Sequence, residues 1–243
     1  MNPYETRKLV DEYLLFHYGA DHEILPWDCG PAGALAFPVR TVADTFDWGR
    51  VSPSARALDV GCAVGRSALE LSRRCAEVIG IDFSQAFVDA AESMRLAGQL
   101  EYQALEEAGV YSSRTALRPE GVFPDRVRFA RGDAMALDPG LGAFDLVHAA
   151  NLLCRLPEPI RFLEQLPGLV RSGGQLVLTT PCTWLEEFTP KEHWPVGSTF
   201  DWLQARLSDS FTLLRSQEMP FLIREHRRKF QWTVAQASVW ERI

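Results

Sequence analysis

A doubly wound α/β fold, a mostly parallel sheet with helices on both faces, is predicted by three features of this sequence. From Arg56 onward, apolar runs of strand length alternate with helix-period segments, an order that implies right-handed crossovers between parallel strands. Glycines break the chain directly after the first strong strand, in "LDVGCAVGRS". The last two strand-like runs, "FTLLRSQEM" and "RKFQWTVAQASVWER", follow each other without a helix-length connection and must pair antiparallel.

Ahead of the first strand, "ETRKLVDEYLLFHYG" carries Leu9, Val10, Tyr13, Leu14 and His17 at helical spacing and stops at Gly19, a residue suited to ending a helix in the left-handed conformation. "AGALAFPVRTVADTF" reads as a second helix interrupted by proline, and residues 1–50 together form a helical lid or flank. The core then runs in order: "RALDV" as a strand, "GRSALELSRRC" as a helix, "EVIGID" as a strand, and a helix beginning at the N-cap Ser84. "DRVRFARGD" and "FDLVHAA" are strands, "PEPIRFLEQLPGLVR" is a helix, "GGQLVLTTP" is a strand, and "TFDWLQARLSDS" is a helix before the final hairpin. Residues 98–125 are too long for a simple connection and form an inserted helical or hairpin element. No linker divides residues 1–243, so a single domain is expected, with a seven-stranded sheet, a C-terminal antiparallel hairpin and loops at 181–200 and 220–229 facing a substrate.

The 47% hydrophobic and 23% charged composition is that of a globular protein. A net charge of −7 opposes a broad grip on nucleic acid or an anionic membrane, although a local basic run, "REHRRK", lies near the C-terminus. No window is apolar for long enough to span a bilayer and the N-terminal residues lack a signal-peptide core, so a cytoplasmic location is expected. The five cysteines are scattered and never in C-x-x-C spacing, which argues against a disulfide framework and a zinc site.

In an open α/β sheet, ligands sit outside the carboxyl ends of the strands where strand order reverses. Gly61 and Gly65 let the loop there turn tightly and approach a ligand. Dinucleotide loops require G-x-G-x-x-G, but Ala63 stands at the central glycine position, and no G-K-[ST] follows as a P-loop would need. The spacing suits a ligand with an amino-acid end, and the candidate is S-adenosylmethionine. Asp82, ending the second strand, is placed to accept both ribose hydroxyls, and Asp133 in "RGDA" to meet the adenine amino group. Asp59 either orients the loop or meets the ligand's ammonium group. The cofactor set is completed by Cys62, Ala63, Arg66, Phe83, Ala134, Asn151 and Leu152.

"LDVGCAVGRSALELS", "VIGIDFS", "RVRFARGDA" and "FDLVHAANLLCRLPEP" resemble the motifs of class I S-adenosylmethionine-dependent methyltransferases, whose Rossmann-like seven-stranded sheet ends in such a hairpin. "NPYETRKLVDEYLLFHYG", "NLLCRLPEP", "PCTWLEEFTPKEHW" and "FLIREHRRKFQW" are further similar to the 4-mercaptohistidine N1-methyltransferases of ovothiol biosynthesis, which often form the C-terminal domain of a larger sulfoxide synthase. The resemblance implies mercaptohistidine as substrate and a functional partnership with a sulfoxide synthase; the alternatives are a methyltransferase for another small amine or thiol metabolite and a non-catalytic S-adenosylmethionine-binding module. "WPVGS" departs from the glycine-rich run common in that family after the tryptophan matching Trp194.

Substrate contacts are expected from Asn151 and Arg155, from an aromatic wall of Trp184, Phe188 and Trp194, and from Arg224, His226 and Arg228 of the basic run. Those three basic residues would share one face of a strand, where guanidinium forks could hold a carboxylate and cations a thiolate. Sulfur is the better nucleophile of a mercaptohistidine, so methylation at nitrogen is a problem of position. His226, His148, Tyr18 and His17 are candidates to accept a proton or a hydrogen bond from the ring, and "FHYG" is expected to close over the cofactor.

Overall fold

The computed structural model describes residues 3–243; Met1 and Asn2 of the expected lid lie outside the described residues. In chain order the helices and strands are α1 (Arg7–Tyr18), α2 (Asp21–Ile24), α3 (Phe37–Ala43), β1 (Arg56–Val60), α4 (Arg66–Leu71), β2 (Glu77–Asp82), α5 (Gln85–Ala97), β3 (Gln99–Glu107), β4 (Val110–Leu117), β5 (Val127–Arg131), β6 (Phe144–Ala150), α6 (Pro159–Leu169), β7 (Val170–Thr180), α7 (Thr199–Leu207), β8 (Phe211–His226) and β9 (Lys229–Arg242). Seven strands form one sheet in the order β5-β2-β1-β6-β7-β9-β8, parallel except for β9. The chain steps outward from β1 to β2 and β5, then returns to β6 on the other side, which puts the reversal of strand order between β1 and β6.

Strand alternation divides the core into two layers. Leu58, Val60, Val147 and Leu176 face Phe162 and Trp240, while Ala57, Leu146 and Val177 face Leu69 and Phe46. Gly19 ends α1 in an extended conformation, φ −60° and ψ 143°, and not in the left-handed one expected, and Pro38 does not interrupt a helix as the sequence implied. It sits in the first turn of α3, where a missing N–H costs nothing, and left-handed Ala36 separates α3 from a short turn at Ala32–Ala34.

Residues 98–125 contain the β3–β4 hairpin, the second of the two alternatives, turned at Ala108–Gly109. Its inner face, Tyr102, Ala104 and Ala116, packs with Leu14 of α1 and with Phe87 and Met94 of α5. The β8–β9 ladder is longer than the sheet: β7 ends where Thr180 meets Gln236, but β8 and β9 continue to His226 and Lys229. This projecting arm packs Leu222 in the cluster containing α1 and Phe221 against Phe16 and Phe37.

One ionic cluster joins lid, insert and arm. Glu106 of β3 accepts from Ser112 at 2.5 Å, Arg114 at 3.1 Å and Arg224 of β8 at 2.6 Å. Arg114 also donates to Glu23 of α2 at 2.6 Å, and Arg224 to the Glu23 carbonyl at 2.5 Å. Burial alone would raise the Glu106 carboxyl, but Ser112, Arg114 and Arg224 outweigh it and hold the group at about 2.

Because Arg224 is buried, Arg224→Ala removes one of the two guanidiniums on Glu106 and leaves a void; urea denaturation should show a loss of about 3 kcal/mol. The Glu106 carboxyl lies below its unfolded value, so its contribution is complete above about pH 4.5 and is lost as pH falls toward 2. Glu106→Gln should therefore flatten the acid limb of the stability curve, and an unchanged limb would remove Glu106 as its source.

Candidate functional site

The loop after β1 is fastened to β2 through its backbone. The N–H groups of Gly61 and Cys62 donate to the Ile81 carbonyl at 2.7 and 3.1 Å, and that of Ala63 to the Asp82 carboxylate at 2.9 Å. These donors hold the loop's own shape. Gly61, Ala63 and Gly65 adopt φ of 76°, 47° and 86°, a region that costs a side-chain-bearing residue about 1 kcal/mol or more. A Cβ on Gly65 would lie 2.6 Å from Phe129 and 2.9 Å from Ala91, and one on Gly61 would lie 3.0 Å from Leu152. Gly65 is thus required by packing beneath the loop, while Gly61 faces Leu152. Left-handed backbone recurs at Asn151 after β6 and Cys182 after β7, so strained residues follow three strands at one edge of the sheet.

Asp82 also accepts from the Ser84 N–H at 2.9 Å, and burial raises its carboxyl to about 6. Ser84, not Asp82, caps α5, as its side chain accepts from Phe87. Phe83, 55% exposed, has the Arg131 guanidinium over its ring, leaving an apolar face beside Asp82. Asp133 caps the turn at Ala134–Ala136 by accepting from Met135, while buried Ala134 accepts from Gln165. Asp59 lies under the loop, 2.7 Å from His148 Nδ1 of β6. The other two atoms of this buried pair, Asp59 Oδ2 and His148 Nε2, have no hydrogen-bond partner. Buried Cys62 has its thiol pushed well up by burial and by Asp82 and Asp59, which makes it an inert packing group.

The lid reaches this edge from the front. Glu5 accepts the N–H groups of Gln85 and Ala86, and Ser84 donates to the Tyr4 carbonyl, which fixes residues 4–5 to the start of α5 next to Asp82. At the other end of α1, Tyr18 donates to the Val64 carbonyl in the glycine loop at 2.8 Å. Arg66 donates to Glu70 and to the His17 carbonyl and lies over the Tyr18 ring, so it joins lid to loop. The His17 imidazole is lowered to about 3, first by burial and then by Arg66, and its Nδ1 has no partner. Burial raises the Tyr13 and Tyr18 phenols, keeping both protonated.

Asn151 accepts from Thr179 through its side chain, joining the ends of β6 and β7. Arg155 contacts the Cys154 and Thr183 carbonyls at 3.1 and 3.5 Å and lies 4.6 Å above the Phe188 ring, while Phe188 meets Tyr4 at 6.2 Å. The expected aromatic wall is therefore divided. Phe188 belongs with Tyr4 and Arg155, whereas Trp184 and Trp194 line an open cleft of about 720 Å³ between the loop after β7 and the arm.

The basic run requires correction. Arg224 is 2% exposed, and its guanidinium is engaged by Glu106 and Glu23. A bulge between Arg224 and His226 breaks the expected common face. His226 Nδ1 accepts from Arg228 in the hairpin turn, and the Arg227 and Arg228 guanidiniums lie over Trp27 at 5.4 and 5.1 Å. This turn is part of the arm's attachment to the lid and insert, so Arg224, His226 and Arg228 do not join the glycine-loop site. Glu5 and Tyr4 were missed because only folding brings the first turn of the chain to residues 82–86. Among the described residues, no group of three His, Cys, Asp or Glu side chains is placed to hold a metal ion, and no helix is long and apolar enough to cross a membrane.

A family model described as a methyltransferase domain matches residues 37–226. A tRNA U34 carboxymethyltransferase of Idiomarina loihiensis is 28% identical over 170 residues, covering 67% of this chain and 46% of that protein. Methyltransferase GfsG of Streptomyces halstedii is 30% identical over 128 residues, covering 53% of this chain and 38% of that protein. The chain spans about half the length of the curated relatives it matches. Magnesium protoporphyrin IX methyltransferase from Synechocystis PCC 6803, solved with bound SAM, is similar in fold at a TM-score of 0.55 and 18% identity, with all of both chains covered.

Gly65→Ala combines left-handed strain with overlap against Phe129 and Ala91, and calorimetry should show a loss of roughly 2–4 kcal/mol. Gly61→Ala, which meets only the flexible Leu152 side chain, should lose less stability. The reverse ranking would show that the loop is not anchored through Gly65.

Proposed function

This chain belongs to the methyltransferase-domain family, and on that premise we propose that it methylates an imidazole nitrogen of 4-mercaptohistidine, forming ovothiol, with S-adenosylmethionine as donor. The observation that carries the proposal is the convergence of the glycine loop, Asp82 and the lid's aromatic residues with Arg155 at the strand-order reversal. The residues present fit the donor. Asp82 offers a carboxylate for ribose hydroxyls and Phe83 an apolar face for a base, with Asp133 and Ala134 alongside the latter; Gly61 and Leu152 border the amino-acid end. The unpartnered Asp59 Oδ2 and His148 Nε2 beneath the loop are a buried polar pair that would reach an ammonium group through water. When bound, S-adenosylmethionine supplies an electrophilic methyl group on a sulfonium.

The chain's own residues account for the rest. Tyr4, Tyr13 and Phe188 exclude water and offer flat surfaces to an aromatic acceptor. Arg155 takes the role expected of Arg224 and Arg228: a guanidinium beside those rings holds the acceptor's thiolate and turns its nitrogen toward the donor. His17 remains neutral at physiological pH and serves as a hydrogen-bonding group, because an imidazole lowered to about 3 is a weak base. A neutral acceptor nitrogen needs no stronger one. The names of the relatives favour a second reading, a tRNA uridine as acceptor. Against it stand the net charge of −7 and the engagement of the basic run within the arm.

The decisive experiment offers 4-mercaptohistidine with S-adenosylmethionine and, in parallel, U34-containing tRNA with S-adenosylmethionine or with its counterpart carrying a carboxymethyl group on the sulfonium, and follows S-adenosylhomocysteine release and product mass. Methylated mercaptohistidine, assigned to nitrogen by NMR, is expected; turnover only with tRNA would replace the proposal. Asp82→Asn should weaken S-adenosylmethionine binding by about tenfold or more in calorimetry, since charged acceptors bind hydroxyls more strongly than neutral ones. Hydroxyl donors favour the ionised carboxyl, so wild-type affinity should be level above about pH 6 and decline below it.

A further inference from the structure

We infer that the cleft beside the end of β7 recognises the acceptor's ammonium group, with Glu218 as its counter-charge and Trp184 and Trp194 as its ring walls. The identity of the acceptor rests on the function proposed above. The cleft arises from a mismatch in strand length. Thr180, Gln236 and Glu218 form one row across β7, β9 and β8; beyond it β7 gives way to the loop at 181–200 while the arm continues. Loop and arm become two facing walls, with Trp184 and Trp194 on one and Glu218, Gln236 and Val234 on the other.

The chemistry of these walls selects a cation. Among the described residues, Glu218 is the only charged one lining the cleft, and it has no ion-pair partner there. Both indole N–H groups are already engaged, that of Trp184 by Thr199 at 2.9 Å and that of Trp194 by the Thr189 carbonyl at 2.6 Å. The tryptophans therefore offer ring surface, which attracts cations, instead of donors, which would favour an anion. The first turn of α7 also borders the cleft, and its partial positive charge is offset there by the Asp201 carboxylate, which accepts from Ser198. A carboxylate opposite two indoles matches a primary ammonium.

The cleft also adjoins the lidded site. Cys182 and Trp184 line it, and the Thr183 carbonyl between them is contacted by Arg155, the residue stacked on Phe188 beside Tyr4. In this assignment the acceptor's ring lies near Arg155 and its ammonium group past the loop after β7, toward Glu218.

Initial rates should be measured for wild type and Glu218→Gln with 4-mercaptohistidine and with its desamino analogue, the mercaptoimidazole propanoate. The substitution should raise KM for mercaptohistidine by about tenfold, with kcat changed less than about twofold, and leave KM for the analogue unaltered, because only the first acceptor carries the cation. An unchanged KM, or equal increases for both acceptors, would overturn the assignment. If neither acceptor is methylated, the proposed function fails but the cleft remains testable with histamine, an imidazole carrying an ammonium and no carboxylate. Saturable quenching of tryptophan fluorescence, weakened about tenfold in Glu218→Gln and abolished in Trp194→Ala, would support it. Quenching that is absent or indifferent to both substitutions would overturn it.

Discussion

The reversal of strand order between β1 and β6 is the constraint around which the rest is arranged. Two neighbouring strands whose connections leave in opposite directions cannot both have their carboxyl ends covered by their own crossovers, so a crevice opens there. The glycine loop and Asp82 occupy one side of it, and Asn151 and Leu152 the other. Left-handed backbone at Ala63, Asn151 and Cys182 concentrates strain at the same edge, where regular sheet hydrogen bonding ends.

A crevice alone would be open to water, and three further pieces of chain close it. Residues 4–18 attach to α5 through Glu5 and to the glycine loop through Tyr18. The β3–β4 hairpin and the β8–β9 arm support this lid from behind, joined by the charges of Glu106, Arg114, Arg224 and Glu23. The run "REHRRK" thus serves as the meeting point of elements about a hundred residues apart in sequence. An arginine enclosed this fully is difficult to offer to a substrate, since its release would take from Glu106 one of its two guanidinium partners and leave the Glu23 carbonyl without its donor.

Local pattern made the framework legible: alternating strand and helix periods gave the parallel sheet, the missing connection gave the terminal hairpin, and Ser84 marked the start of α5. The meeting of the glycine loop with Asp82 was legible as a position, because both lie directly after strands that are neighbours in the sheet. The basic run was misplaced because alternation along a strand reveals faces but neither the bulge after Arg224 nor the acidic partner contributed by the insert. Tyr4, Glu5 and Glu218 carry no local signal. Their positions follow from where the chain's first turn docks and from how far the arm outruns β7, both tertiary outcomes.

The central claim is that the bend after β1 and the lid together enclose an S-adenosyl ligand. Hydrogen exchange measured with and without S-adenosylhomocysteine tests it most directly, because it reports on the loop and the lid in one experiment. Slower exchange at residues 61–65, 82–84 and 4–18 on adding ligand is the predicted result. Protection elsewhere, with these three segments unchanged, would contradict the account.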